Sequence, residues 1–208
     1  MALKKQNDDN VTELSPRRSE RDFNGLKNSL HEGDEDQRRW AARDLASFDE
    51  AVGPLVKQLT EEKSHVVRDA IYLSLQKIGN QDVVCQLIPF LSEEDAELRN
   101  STIEVLQMIP EQIETHIISL LNHQDSDVRI FAIDILQVLA HAKTPEWLLS
   151  VLKDETHVNV VAAAVDRLAE VGTASMVRDI EEVKTKFSDE EYLMFACNTA
   201  IRRIKANS

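Results

Sequence analysis

The stretch DSDVRIFAIDIL at residues 125–136 contains the pattern that decides the fold of this chain. It begins with Asp125, a residue type whose carboxylate accepts hydrogen bonds from the free amides of a first helical turn. Arg129 follows, and Ala132 and Leu136 come three and seven positions after this arginine. Apolar residues at that spacing lie on one stripe of an α-helix. The stretch therefore predicts a capped helix that buries one face.

The same pattern returns along the chain, and successive copies are 30 or 31 residues apart. The residues aligned with Arg129, called anchors from here on, are Arg38, Arg68, Arg99, Arg129 and, off-pattern, Asn159. The capping position four residues before each anchor holds Asp34, Ser64, Asp95, Asp125 and the weaker Glu155. The position seven residues after each anchor holds Leu45, Leu75, Leu106, Leu136 and, as a second break, Asp166. A phased series of this kind predicts a repeat protein.

A shorter apolar helix is predicted before each anchored helix. These first helices cover residues 23–30, 52–59, 83–91, 113–121 and 145–152. A sixth pair, 174–187 followed by 190–204, keeps the layout without the anchor. Since a single pair cannot bury its apolar face alone, we expect the pairs to stack around one continuous core.

Helix pairs of this period, whose second helix is capped and carries Val-Arg followed by Ala and Leu, resemble HEAT repeats. The similarity is to the short bacterial type that also occurs in phycobilin-lyase-like proteins, and it covers residues 22 to about 205. The resemblance implies an all-α fold, an α-solenoid of about six helix–turn–helix repeats in a right-handed superhelix whose second helices line the concave face. We therefore divide the chain into a flexible N-terminal segment, residues 1–21, and a HEAT-repeat domain, residues 22–208.

Charge and composition restrict the classes of partner. The chain has 208 residues and a formal net charge of −13, which disfavours binding to nucleic acid or to an anionic membrane surface. No apolar run approaches the roughly 20 residues of a membrane span, and no secretory signal is predicted. Cys85 and Cys197 lie in apolar helical patterns, so we expect buried free thiols and a cytoplasmic location.

Positions 1, 5 and 8 after each anchor form a second line along the stack, away from the apolar stripe. We predict that this line binds a segment of a partner protein. The residues predicted to contact the partner are Arg39, Arg43, Asp69, Leu73, Gln76, Asn100, Glu104, Gln107, Ile130, Asp134 and Gln137. Val160, Ala164 and Arg167 continue the line in the fifth repeat.

Three properties of this line favour a binding site. Its aliphatic residues Leu73, Ile130 and Val160 are expected to be exposed, and grouped exposed aliphatics mark contact surfaces. Its glutamines can both donate to and accept from a peptide backbone. Arg39 and Arg43 would bind acidic groups at one end. An ordinary solvated helix face remains the alternative.

The four anchor arginines are predicted to be structural, because they recur in phase. The resemblance implies that such an arginine bonds to a capping acid of a neighbouring unit. An electropositive binding row is the alternative. The acids of the turns within units are expected to cap helix N-termini, and a negative strip that attracts a basic partner is the alternative there.

The aromatic residues are predicted to pack inside. Trp40 is expected between the first two repeats, with the rim of the binding line as the alternative. Trp147, Tyr72, Phe131 and Phe195 are expected in the core.

No catalytic motif is recognisable, and the histidines and cysteines do not show metal-ligand spacing. We therefore predict no catalytic residue, no metal site, no cofactor and no enzymatic activity. The leading hypothesis is a cytoplasmic scaffold or adaptor that binds a partner protein. The alternatives are a phycobilin-lyase-like chromophore-handling or enzyme-accessory protein, and a DNA-repair glycosylase on a similar scaffold. The oligomeric state is left open, and a monomer is plausible.

Overall fold

The computed structural model describes residues 22–139 and 141–207, so the predicted flexible segment 1–21 lies outside the described residues. Every element of the described residues is helical, in twelve α-helices and three short 3₁₀ turns. The first helices are α1 Phe23–Glu32, α3 Val52–Glu61, α5 Gln81–Leu87, α7 Pro110–Leu121, α9 Thr144–Asp154 and α11 Val177–Lys186. The second helices are α2 Glu35–Leu45, α4 His65–Ile78, α6 Ala96–Gln107, α8 Ser126–Val138, α10 Val158–Val171 and α12 Glu191–Asn207.

These helices form two layers. Each second helix packs against the second helix of the next pair, and the first helices contact one another less extensively. The apolar stripe predicted from the repeat faces the space between the layers, where the residues seven positions after the four anchors are all inaccessible to solvent: Leu45, Leu75, Leu106 and Leu136. The predicted all-α solenoid of stacked helix pairs is confirmed.

The predicted caps are present in three of the four aspartate or serine positions. Asp34 accepts from the amide of Gln37, and Asp95 and Asp125 accept from amides of their own first turns. Ser64 occupies the cap position of α4 but makes no side-chain cap bond. The carboxylate of Glu62 instead accepts from the amides of Lys63 and Ser64.

The fifth repeat also has a glutamate in the preceding turn in place of a capping aspartate or serine. The carboxylate of Glu155 accepts from the amides of Thr156 and His157, directly before α10 begins at Val158. A glutamate in the preceding turn therefore binds the free amides where an aspartate cap is missing.

Helix α10 is rotated relative to the sequence pattern, and this corrects two predictions. Val160 and Ala164, expected on the exposed line, have no exposed surface, whereas Asp166 is exposed. Its buried residues fit the other repeats if the fifth anchor is Val161, which is the fourth residue of α10 as each arginine anchor is of its own helix, 32 residues after Arg129. Val160, Ala164 and Leu168 then correspond to Val128, Ala132 and Leu136, and Asp166 stands at position 5, so it no longer breaks the pattern.

Candidate partner-binding face

The structure places the eleven predicted contact residues on one side of α2, α4, α6 and α8. We call this side, positions 1, 5 and 8 after each anchor, the second-helix face. Asp166 on α10 is exposed at position 5 counted from Val161. Of the eleven predicted residues, six are exposed: Arg43, Asp69, Leu73, Asn100, Glu104 and Gln137. The others are half-buried: Arg39, Gln76, Gln107, Ile130 and Asp134. The face is accessible along four consecutive repeats.

A groove of about 540 Å³ runs between α4 and α6 on this face. It is lined by five of the predicted residues: Asp69, Leu73, Gln76, Glu104 and Gln107. Met108, at the end of α6, completes the apolar part of its wall, with 60% of its surface exposed beside Leu73 at 58%. Large apolar side chains this exposed are a feature of contact surfaces when they stand together in a concavity.

A smaller groove of about 240 Å³ separates α8 from α10. Asp134 and Gln137 line it from α8, and Asp166 and Arg167 line it from α10. Burial raises the pKa of Asp134 above its ordinary value. Burial and the charge of Glu170 also raise the pKa of Asp166, against the effect of Arg203. Both carboxylates therefore lie in a partly desolvated site.

One of the predicted glutamines is already engaged. The side-chain amide of Gln107 donates to the main-chain carbonyl of Asp134 at 3.0 Å, which joins α6 to α8. One of its two N–H donors is then used inside the stack, and the bond holds the side chain in the wall of the groove. For Gln76 and Gln137 the described residues supply no comparable side-chain bond.

The α2 end of the face carries a cationic and aromatic cluster. Arg39 and Arg43 place their guanidinium carbons 5.1 and 5.3 Å from the centre of the Trp40 ring. Arg39 also pairs with Asp36 at 2.9 Å, and its buried Nε has no hydrogen-bond partner among the described residues. Trp40 is 37% exposed, so the structure places it at the rim of the face rather than inside the stack.

The sequence interpretation missed several apolar residues near this face. Met108 and Val138, which is 55% exposed, both stand nine residues after an anchor. Phe195 was expected in the core, yet it is 69% exposed. Counting from Met194, which is the fourth residue of α12 as the anchors are of their helices, would have identified it, because Phe195 then falls at position 1, the position that Asp69 occupies in the second repeat. Tyr192, in the first turn of the same helix, is 65% exposed.

The other aromatic residues lie nearer to expectation. Tyr72 is buried, and its hydroxyl donates to the carbonyl of Leu98 in the next repeat at 3.2 Å. Phe131 and Trp147 are half-buried and pack against the core. The Trp147 ring also stacks on His141, with ring centres 4.7 Å apart.

The anchor arginines bind turn carbonyls and carboxylates. Arg38 donates to both carboxylate oxygens of Glu62, at 2.8 and 3.0 Å, and to the carbonyl of Gly33. Arg129 makes the corresponding two bonds to Glu155, at 2.6 and 3.1 Å.

The two middle anchors differ. Arg68 donates to the carbonyl of Glu62 and reaches Asp95 and Glu97 at 3.3 Å. Arg99 donates to the carbonyls of Glu93 and Glu94, and its guanidinium carbon lies 5.9 Å from the centre of the Phe131 ring in the next repeat. Three anchors thus connect adjacent repeats through a carboxylate of the next repeat, and Arg99 closes its own turn.

Burial and hydrogen bonding oppose each other at Glu62. Burial would raise its pKa, but bonds from Arg38, the Ser64 amide and Gln58 overcome that effect and lower the pKa to about 2. The pKa of Glu155 is lowered in the same way by Arg129 and two backbone amides, against the effect of burial.

The two cysteines differ in their exposure to solvent. Cys197 is buried as predicted, and burial raises the pKa of its thiol to about 11. Cys85 is exposed, contrary to prediction, because the surface of the short helix α5 faces solvent there. Its sulfur lies 4.0 Å from Nε2 of His116 on α7.

Two further observations concern the described part of the chain as a whole. It contains no cluster of three or more His, Cys, Asp or Glu side chains arranged to hold a metal ion. None of its helices combines the length and the apolar character that crossing a membrane requires.

Stacked helix pairs with an accessible face on the second helices define the class of this protein as a helical-repeat solenoid. Residues 23–107 match the family model for HEAT repeats, the family that the sequence pattern resembles. No curated protein is significantly similar to the chain.

Three solved structures resemble the chain at low identity. An engineered protein is 21% identical, with 87% of this chain and 95% of that one covered and a TM-score of 0.38. The complex of CpcE and CpcF of phycocyanin lyase from Nostoc sp. PCC7120 is 17% identical, with 98% of this chain and 100% of that one covered and a TM-score of 0.36. Computationally designed armadillo repeat proteins for modular peptide recognition are 18% identical, with 86% of this chain and 98% of that one covered and a TM-score of 0.37. Similarity at this level does not bear on what the chain binds.

Proposed function

We propose that this chain is a cytoplasmic scaffold or adaptor, without enzymatic activity, that binds a segment of a partner protein along the second-helix face. HEAT repeats generally mediate protein binding, because stacked pairs present a long continuous surface. The proposal rests above all on the groove between α4 and α6. Five residues of the predicted line surround it, and the exposed Leu73 and Met108 form its apolar wall.

Two further observations support this face over the opposite one. The second helices pack more closely together than the first helices, as the inner layer of a curved stack does. At one end of the face, the Arg39–Trp40–Arg43 cluster offers the residue types that are enriched where binding energy concentrates in interfaces. Arg43 is exposed and would bind an acidic group of the partner.

The test compares two equally exposed aliphatic residues on opposite layers. Leu73 lies in the groove and Ile118 lies on the first helix α7, and each is 58% exposed. The tagged protein and its Leu73→Ser and Ile118→Ser variants are used to capture partners from an extract of the organism that encodes it. We expect Leu73→Ser to lose a partner that the wild type and Ile118→Ser retain. Equal capture by all three proteins would reject the second-helix face as the binding site.

The chromophore-handling alternative finds less support at this face. A tetrapyrrole carries carboxylates, which an arginine or histidine would have to bind. The groove between α4 and α6 is lined by Asp69 and Glu104 and by neither of those residue types. A visible absorption band in the purified protein would favour the alternative.

A further inference from the structure

Three carboxylates of the second-helix face have no cationic partner, in contrast to the turn acids that bind the anchor arginines. Asp69 and Glu104 line the groove between α4 and α6, and Asp134 lies on the next helix of the same face. No ion pair involves any of these three within residues 22–139 and 141–207. The turn acids Glu62 and Glu155, by contrast, each bind an anchor arginine.

The same groove holds apolar surface between its two acids. Leu73 and Met108 are exposed over more than half of their surface, and the buried side chains of Tyr72 and Val105 close the floor. A concavity of about 540 Å³ with this lining accommodates an apolar side chain of a bound segment. The two carboxylates would then contact the residues that flank this side chain in the bound segment.

Gln76 adds a means of binding the backbone of such a segment. It is half-buried in the groove, and its amide both donates and accepts hydrogen bonds. An extended chain leaves its backbone amides and carbonyls available, and its successive side chains point to opposite sides. A carboxyamide in the groove can therefore bind the backbone while the side chains reach the apolar wall and the acids.

This inference rests on the proposed function. We propose that the partner segment is extended and basic. One apolar side chain of the segment lies between Leu73 and Met108, and flanking lysine or arginine side chains bind Asp69 and Glu104. Charge complementarity selects this occupant, since a segment with acidic flanks would meet two unpaired carboxylates at close range. Arg39 and Arg43 at the α2 end repel the same basic residues, which confines the basic stretch to α4, α6 and α8. Apolar contact supplies affinity, and the charges supply selectivity.

The inference is tested with three short fluorescent peptides in a serine background, with Lys-Leu-Lys, Glu-Leu-Glu or Lys-Ser-Lys at the centre. Fluorescence anisotropy of each peptide is measured against the full chain at low and at raised salt. We expect only the Lys-Leu-Lys peptide to bind well, and binding to weaken as salt screens the charges. Replacing its leucine by serine loses the burial of one aliphatic side chain and is expected to weaken binding about ten-fold.

A matched pair of charge reversals separates the groove from the general negative charge of the protein. Glu104→Lys lies in the groove, whereas Glu111→Lys makes the same change of charge at an exposed site on the first helix α7. We expect Glu104→Lys to weaken binding of the Lys-Leu-Lys peptide about five-fold or more, and Glu111→Lys to have a much smaller effect. Equal effects of the two variants, or equal binding of all three peptides, would overturn the inference.

The outcomes distinguish this inference from the proposed function. If no peptide binds but Leu73→Ser still loses the captured partner, the face binds a partner of other chemistry and only the inference fails. If no peptide binds and Leu73→Ser changes nothing, both fail. If the protein sediments as a dimer that Leu73→Ser converts to a monomer, a second copy occupies the groove and the inference fails.

Discussion

Glu62 is a carboxylate that solvent barely reaches, with 3% of its surface exposed. Such a charge is tolerated only where hydrogen bonds replace the lost hydration. Arg38 supplies two of these bonds across the junction of the first two repeats, and Gln58 and two backbone amides supply the others. A single residue thus substitutes for the missing cap of α4 and connects two repeats.

We expect Arg38→Met to lower the free energy of unfolding by about 3 kcal/mol, because it leaves a buried carboxylate without its cation. Urea unfolding followed by circular dichroism measures the change. Arg178→Met is the control, since the Arg178–Glu182 pair is exposed at 89% and 67% and its loss costs less than about 1 kcal/mol. Similar losses in the two variants would contradict a structural role for the anchor.

The lowered pKa of Glu62 also predicts how its contribution depends on pH. Its pKa is about 2 in the folded chain against 4.5 as the ordinary value, so the folded state binds this proton less readily than the unfolded state. The stabilisation is therefore complete above pH 4.5, amounts to at most about 3 kcal/mol, and is lost as the pH falls towards 2.

The pH dependence of this stabilisation is measured by comparing the free energy of unfolding of the wild type with that of Glu62→Gln. We expect the wild type to be the more stable protein near neutral pH, and the difference to narrow steadily as the pH is lowered from about 5 to about 3. A difference that stays constant over that interval would mean that Glu62 is not held as a bound carboxylate.

At the scale of elements, helix α10 shows how a two-residue shift changes which side chains are exposed. The regular period placed Val160 and Ala164 on the second-helix face, but α10 begins 32 residues after α8, and this longer interval turns both side chains into the core. Asp166, which interrupted the apolar stripe in the sequence, becomes a residue of the groove between α8 and α10.

Two neighbouring alanines of α10 test this rotation. Ala164 has no exposed surface, whereas Ala163 is half-buried and lines the groove. Ala164→Leu is expected to destabilise the protein by about 1–3 kcal/mol through overpacking against the neighbouring helices, and Ala163→Leu by less than about 1 kcal/mol. Thermal or urea unfolding of both variants decides between the rotation of α10 seen in the structure and the one expected from the regular 30-residue period. The regular period predicts that Ala163→Leu is the more destabilising change.

At the scale of the whole molecule, the net charge of −13 and the acids of the second-helix face act in the same direction. A polyanion approaching that face meets Asp69, Glu104 and Asp134, whereas the Arg39–Arg43 end attracts it. Binding to nucleic acid requires neutralisation of phosphates by a basic surface.

We therefore expect the protein to pass through a heparin column unretained at low salt. The same column run with the Glu104→Lys variant shows whether one cation on the face changes this result. Tight retention of the wild type that salt releases would contradict the charge argument and would favour a nucleic-acid partner.

The sequence by itself determined the repeat and most of the fold. The spacing of anchors, caps and leucines defines amphipathic helices locally, and such helices can bury their stripes only by stacking, so the class of fold follows without knowledge of long-range contacts. Position within the repeat also identified the five residues that meet in the groove between α4 and α6, because equivalent positions of adjacent second helices lie side by side.

The tertiary structure decided what neighbouring helices leave exposed. Phe195 and Cys85 have apolar surroundings in the sequence, yet they face solvent in the structure. Val160 and Ala164 are covered because α12 packs along α10. Glu62 acquired its arginine partner, and Gln107 its carbonyl partner, only through contact with another repeat. Periodicity specifies the side of a helix on which a residue stands, but burial and pairing depend on how closely the next helix approaches that side.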